Sequence, residues 1–492
     1  MSTNNGSKRE VSVGIVGAGF GGVGMGIRLR REGVEDFTIF ERGETVGGVW
    51  RANTYPGAAC DVPSHLYSFS FAPGSNWSRR YAPQPEILDY LEQVTDRFAL
   101  RPHLRFNTEA TEARFDPAAG KWALKTDDGE IHEFDVVVTA CGQLTRPSTP
   151  HVEGIENFEG KIFHSAEWDH SHDLTGERVA VLGTGASAIQ FVPRIAPLAS
   201  ELTIYQRSAP WIVPKMDRTY PEWEQRVFER FPVRVGASRL GLFTALEIGT
   251  YGFTGKHWVL KPLAALADSY RKRELPDPEL RGLATPDYEI GCKRVLITSD
   301  WYSTLRRENV ELLGGAVQRV TASGVVGPDG VERETDTIIW GTGFETARFT
   351  SPMDIYGPEG REIGEVWGDR PEAFLGLTVS GFPNLFILYG PNTNHGSGSG
   401  PYALECGFNY ILDAIVRLRG QGLRWIDLKP ETQAAWREEI DRRNKETIWV
   451  NGGCTSWYTN EAGLNTNNWP GSWLEYRRRT RRINPADYRA AV

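Results

Sequence analysis

Two stretches of this chain read as the same piece of backbone. Val11-Ser-Val-Gly-Ile-Val16 is a short apolar run fit for a buried parallel strand, and it runs directly into Gly17-Ala-Gly19-Phe-Gly-Gly22. A helical pattern follows, then a second apolar run, Phe37-Thr-Ile-Phe40, ending on Glu41. Val179-Ala-Val-Leu182 leads likewise into Gly183-Thr-Gly185-Ala-Ser-Ala188, and Leu202-Thr-Ile-Tyr205 ends at Gln206-Arg207-Ser208. Each small residue has a mechanical task. Gly17 and Gly183 permit a tight turn, and Gly19 and Gly185 let backbone approach a pyrophosphate at a helix N-terminus. Gly22 lets helix and strand pack closely.

The strand–turn–helix–strand order predicts an α/β chain with two Rossmann-like dinucleotide-binding domains. The residue closing each unit distinguishes the two. Glu41 lies 22 residues beyond Gly19 and is placed to accept hydrogen bonds from a ribose diol. Arg207 lies at the same offset from Gly185. A carboxylate there would repel a 2′-phosphate, whereas a guanidinium binds one bidentately. The first unit therefore suits a nucleotide with a free diol and the second suits NADP(H). Two nucleotides on one chain point to a reacting pair, and FAD with NADPH is the simplest.

Composition excludes other classes. Lys and Arg number 55 against 63 Asp and Glu, a net charge of −8, so a duplex-binding protein is not expected. The run Arg477-Arg478-Arg479-Thr480-Arg481-Arg482 reads as a solvated terminal segment. The longest uncharged stretch is broken by Gly and Pro, so no membrane helix is expected. The five cysteines show no C-x-x-C spacing and so no redox pair in sequence, and their odd count points to a reducing, cytoplasmic setting. Between Pro221 and Pro286 helical patterns replace the glycine turns. The expected organisation is 1–144 with 350–492 for FAD, 145–215 with 292–349 for NADP, and a helical insertion over 216–291. An apolar stripe from Leu404 to Leu418 reads as a core helix ended by Gly420.

Two longer patterns sharpen the reading. Phe158-Glu-Gly160-Lys-Ile-Phe-His164-Ser-Ala-Glu-Trp168-Asp169 fits F-x-G-x-x-x-H-x-x-x-W-[P/D]. Gly47-Gly48-Val-Trp50-Arg-Ala-Asn-Thr-Tyr55-Pro-Gly57-Ala-Ala-Cys-Asp61 fits [A/G]-G-x-W-x-x-x-x-[F/Y]-P-[G/M]-x-x-x-D. With the two glycine turns these resemble, over essentially the whole chain, the type I Baeyer–Villiger monooxygenases, a group of class B flavoprotein monooxygenases. The resemblance implies an NADPH- and O2-dependent enzyme that inserts oxygen beside a ketone carbonyl through a flavin C4a-peroxide, giving an ester or lactone. Its expected partners are a small ketone and O2, with the chain acting as a monomer or homodimer. Sulfur or nitrogen oxidation is the alternative, and a two-dinucleotide disulfide reductase or a redox sensor stands behind it.

The resemblance also assigns residues. Gly48, Trp50, Asp61 and Tyr67 are expected along the flavin, and the backbone of Ala110 at its adenine. Thr184, Ser187, Arg207 and Ser208 are expected at the NADP phosphates, with Lys293 as a second cation. Arg294 is implied as the active-site arginine, oriented by Asp61, and Trp457 as the residue that closes over the nicotinamide. His164 is expected to hydrogen-bond between domains while Trp168 packs the hinge. The segments 391–400 and 459–471 depart from the commonest forms of the family and are expected to border the substrate pocket. Six of the sixteen tryptophans fall between Trp425 and Trp473, an expected aromatic wall for that pocket.

Overall fold

In the computed structural model, which describes residues 9–492, two five-stranded parallel sheets carry the two glycine turns. The first orders its strands Leu385–Ile387, Val136–Thr139, Val13–Val16, Phe37–Phe40 and Leu104–Arg105. The second orders them Val310–Gly314, Glu201–Gln206, Arg178–Leu182, Thr337–Trp340 and Lys161–His164. Both glycine-turn strands are wholly or almost wholly buried, as sheets covered on both faces require. Helices Phe20–Arg31 and Ala188–Ile195 come directly after the turns. Neither helix start carries a side-chain cap, so the first amides of each are left for a ligand.

The two turns are built alike. Gly17 and Gly183 have φ of +102° and +106°. A Cβ on Gly17 would lie 2.7 Å from the Ala140 carbonyl oxygen, and one on Gly183 would lie 2.6 Å from that of Gly341. Ala140 and Gly341 each succeed the neighbouring strand of the same sheet and wall the turns, and just beyond each the chain passes to a strand of the other unit. The third position differs. A Cβ on Gly22 would sit 1.9 Å from the Gly17 oxygen, whereas the Ala188 side chain is accommodated in the second unit.

A four-stranded sheet, Asp354–Tyr356, Ala110–Asp116, Lys121–Thr126 and Ile131–Phe134, flanks the first unit, with buried Ala110 at its start. The expected insertion is helical, with Glu222–Arg230, Pro232–Phe253, Lys261–Glu274 and Pro278–Leu283. No helix among the described residues is long and apolar enough to cross a membrane.

Two expectations are corrected. The stripe helix runs Gly400–Gln421, so Gly420 lies inside it and Gly422, with φ of +64°, ends it. The C-terminal tryptophans are mostly core: Trp436, Trp449, Trp469 and Trp473 are buried, and Trp436 stacks on Trp469 at 5.9 Å. Aromatic packing against the apolar core exceeds what a solvent-facing wall would gain. Finally, Cys292 and Cys454 form a disulfide across 162 residues, so only Cys60, Cys141 and Cys406 are free. Folding brings together two thiols that sequence spacing keeps apart.

The helix end gives a paired test. Gly420→Ala meets nothing within 4 Å and gains helix propensity, so it should stabilise by about 0.5–1 kcal/mol. Gly422→Ala must hold a left-handed residue and should destabilise by roughly 1 kcal/mol. Urea midpoints that move in the same direction for both would refute this helix end.

Candidate active site

A cavity of about 700 Å³ lies between the two units. Glycine-turn residues Gly183, Thr184, Gly185 and Ser187 line one side, with Arg207 and Ser208 at the end of the next strand. Trp50, Asp61 and Tyr67 line the other side, while Lys293, Arg294 and Trp457 close it. Gly17, Gly19, Gly22, Glu41, Gly48 and Ala110 are not on its wall. Gly17, Gly19 and Gly22 form the first turn, with Glu41 and Gly48 against it and the Gly47 amide donating to the Ala18 carbonyl at 2.9 Å, while Ala110 packs in the core beside Val16 and Phe40. A Cβ on Gly48 would lie 3.0 Å from the Gly19 Cα.

Glu41 is buried and fully engaged. It accepts from the amides of Ala18 and Gly43, both at 2.9 Å, and pairs with Arg51 at 2.9 Å. The carboxylate thereby fixes the glycine turn itself. Trp50 Nε1 donates to Tyr67 Oη at 3.1 Å, and the two rings meet edge to face at 5.5 Å.

The long motif containing Asp61 has a physical basis. Tyr55 Oη donates to Gln190 Oε1 at 2.9 Å, and Gln190 Nε2 donates to the Ala59 carbonyl at 3.0 Å. A Cβ on Gly57 would lie 2.8 Å from the Gln190 carbonyl oxygen. Tyrosine and glycine at these positions bind residues 55–61, a strap from the first unit, to helix Ala188–Ile195 of the second.

That strap ends at Asp61, whose Oδ2 accepts from Arg294 Nε at 2.8 Å and Nη2 at 2.6 Å. Burial alone would raise the Asp61 carboxyl, but the Arg294 charge and hydrogen bonds hold it below the usual range. The Asp61 charge in turn raises the proton affinity of Arg294 against its own burial. Both side chains remain about a quarter exposed, at 27 % and 28 %, and both line the cavity.

At the far end, Lys293 Nζ donates to Ser208 Oγ at 2.6 Å. Burial and the nearby Arg207 charge lower the Lys293 pKa. Two cations crowded together in this way call for an anion between them. Trp457 is 37 % exposed and packs on Tyr458 at 4.5 Å. His164 Nδ1 accepts from the Ala166 amide at 3.0 Å and closes a local turn, while its ring meets Phe344 edge to face at 5.8 Å. Trp168 packs between Phe163 and Phe191, at 5.2 and 5.3 Å.

One wall is formed by Tyr389, Asn394 and His395; the segment 391–400 expected at the pocket supplies the last two, and Tyr389 is the residue that sequence reasoning missed. Tyr389 Oη donates to Asn394 Oδ1 at 2.8 Å, as does the His395 amide at 2.9 Å. Asn394 Nδ2 and His395 Nε2 are buried without a partner among the described residues. Burial and Arg294 push His395 down to about 3, so its ring is neutral. Tyr389 and Asn392 hold φ of +61° and +57°. Such conformations in non-glycine residues cluster where function requires them. The available sequence signal was Pro391-Asn-Thr-Asn-His395 directly before a helix.

The two divergent segments also meet through buried amides. Asn392 Nδ2 donates to the Asn465 carbonyl at 2.9 Å, and Asn465 Nδ2 donates to Asn444 Oδ1 at 2.8 Å. Of these segments, Asn394, His395 and Gly400 reach the cavity.

Comparison with known proteins agrees with this geometry. The flavin-binding monooxygenase-like family model matches residues 9–238. A Baeyer–Villiger monooxygenase of Pseudomonas aeruginosa is 44 % identical over 98 % of this chain and 91 % of its own length. A solved steroid monooxygenase bound to NADP superposes with a TM-score of 0.86 at 32 % identity, covering 98 % of this chain and 99 % of that one. A closed structure of cyclohexanone monooxygenase gives the same TM-score and coverage at 28 % identity. The chain belongs to the Baeyer–Villiger monooxygenases, within the flavin-binding monooxygenase-like family.

Proposed function

We propose that this enzyme uses NADPH, FAD and O2 to insert one oxygen atom beside the carbonyl of a ketone, yielding an ester or lactone. The observation that carries the reading is the Arg294–Asp61 pair, which faces the same cavity as the second glycine turn and the Trp50–Tyr67 wall. The residues fit both dinucleotides. The uncapped helix at Gly19 and the Cβ-free approach of Gly19 to Gly48 make a cradle for the FAD pyrophosphate. Arg207, Lys293 and Ser208 make a site for the 2′-phosphate of NADP(H).

Bound FAD, once reduced by NADPH, supplies activated oxygen. The protein governs charge around it. Arg294 cannot lose its proton near neutral pH, so it is a fixed cation for negative charge on the reacting oxygens. Asp61 holds the guanidinium on two nitrogens and sets its plane. Asn394 and His395 offer open hydrogen-bonding atoms on the same wall, and neutral His395 adds no competing charge. Trp457 is placed to cover the nicotinamide end.

Oxidation of a panel of ketones and sulfides, with products identified by mass spectrometry, tests the reaction directly. Esters or lactones are expected; sulfoxides alone would refute it. Arg294→Ala should retain FAD and lower kcat by about 10²–10³-fold. Ester formation at the normal rate would sink the assigned role. Arg207→Ala should raise KM for NADPH by about tenfold or more and leave KM for NADH little changed, as loss of a charge-assisted contact predicts. An unchanged ratio would place the 2′-phosphate elsewhere.

His395 also shapes acid stability. Its folded pKa is depressed to about 3, so its contribution is fully present above the unfolded value near 6.5. As pH falls below that value the unfolded chain takes up a proton that the folded chain refuses. Between pH 7.5 and 5 this costs roughly 2 kcal/mol. His395→Gln should flatten the urea-midpoint slope over that range by a similar amount; an identical slope would contradict the burial of a neutral imidazole.

A further inference from the structure

Cys292 and Cys454 occupy telling places in the chain. Cys292 immediately precedes Lys293 and Arg294, and Cys454 lies three residues before Trp457. Their disulfide joins the segment that carries the two site cations to the segment that carries the cover. Their Cα atoms are 6.1 Å apart, within the usual range for such a bond. The bond does not line the cavity. It therefore does not present a redox-active pair to the cofactors, as a disulfide reductase would require.

The segment around Cys454 has few other restraints. Upstream, short helix Ile448–Asn451 is anchored by buried Trp449, and downstream Tyr458 is buried. Between them Gly453, Thr455 and Trp457 are exposed. The segment's ties to the rest of the chain are the Glu289 amide to the Gly452 carbonyl at 3.0 Å and two donors, Thr346 and Asn467, to the Trp457 carbonyl; the others are local, the Gly452 amide to the Ile448 carbonyl at 2.8 Å and the amides of Tyr458 and Thr459 to Ser456. A Cβ on Gly452 would lie 2.6 Å from the Cys292 Cβ, so glycine is what admits the bridge. Cys292 is buried and Cys454 half-buried, which makes Cys454 the sulfur that an external reagent reaches first.

We propose that Cys292 and Cys454 are a reversible thiol–disulfide pair that sets how firmly the Trp457 segment is held over the dinucleotide. The inference rests on the NADP(H) reading given above. In the oxidising direction the Cys454 thiolate attacks a low-molecular-weight disulfide such as oxidised glutathione and releases one glutathione thiolate. The Cys292 thiolate then attacks the mixed disulfide at Cys454 Sγ and releases the second. Two protein thiols lose two protons and two electrons, and one glutathione disulfide becomes two thiols. A dithiol reverses both steps. With the bridge closed, the cover and the cation segment move together; with it open, residues 452–457 keep only their hydrogen bonds.

The test uses the full-length FAD-bound enzyme, poised with either oxidised glutathione or dithiothreitol and then freed of reagent. Thiols are counted after unfolding. Stopped-flow measures NADP+ release. The oxidised form should show three thiols and the reduced form five, with Cys292 and Cys454 identified as the changing pair by peptide mapping. The reduced form should release NADP+ at least about fivefold faster, the lower end of ordinary site-to-site coupling. Cys454→Ser should match the reduced form and lose its response to either reagent. Five thiols after oxidant treatment, or equal release rates in the two states of the wild type, would overturn the proposal. Three thiols with no NADP+ binding in either state would instead overturn the dinucleotide reading and leave the cross-link standing.

Discussion

The ion pair between Arg294 and Asp61 is the constraint around which the rest of the site is arranged. Two unlike charges are drawn from parts of the chain 233 residues apart and held in a cavity wall where neither is fully hydrated. Such a pair is tolerated only when its geometry is good, because removing water from each ion costs several kcal/mol. Here one carboxylate oxygen takes two guanidinium donors, and the charges answer one another. The result is a cation whose position is determined by a residue on the other unit. Everything on the wall then has to be compatible with a fixed positive charge. His395 is neutral, Tyr389 keeps its proton because burial outweighs the pull of Arg294, and Lys293 is displaced to the far end beside Ser208.

The two sheets show how one local solution serves two ligands. In each, a left-handed glycine turns the chain while the end of the adjacent strand presses a carbonyl against it. The units part company at the residue that closes the second strand of each. Glu41 folds back onto the first turn and is neutralised by Arg51, whereas Arg207 stays exposed near a second cation. The backbone is common to both turns, while the charge around each differs.

Much of this was legible in the sequence because it depends on local rules. Strand, turn and helix around Gly17 and Gly183 are dictated by residues within a few positions of one another. Arg294 and Asp61 were reached through motifs whose spacing reflects real packing, as the contacts of Tyr55 and Gly57 with Gln190 make plain. What escaped depends on contacts between distant segments. Nothing near Cys292 marks it as the neighbour of Cys454. The asparagines at 392, 444 and 465 look like loop residues until the fold buries them against one another's backbone. The late tryptophans were read as lining because aromatic residues suit both walls and cores, and composition cannot choose between them. Gly420 and Gly422 differ only in the sign of φ, which the apolar periodicity does not report.

The strap from Tyr55 to Asp61 has a mechanical meaning for an enzyme of two lobes. It is encoded in the first lobe but hydrogen-bonded to a helix of the second. The same strap is paired to its own lobe: the Cys60 amide donates to the Ala82 carbonyl at 2.9 Å, the Gln84 amide donates to the Ala58 carbonyl at 2.8 Å, and Cys60 and Val62 lie in the first lobe's core. It is therefore a rivet and not a hinge. Turning one lobe against the other would have to break these backbone bonds on one side or the Gln190 contacts on the other. The carboxylate at its end is gripped from both directions, so the join between the lobes is also what fixes the charge facing the cavity.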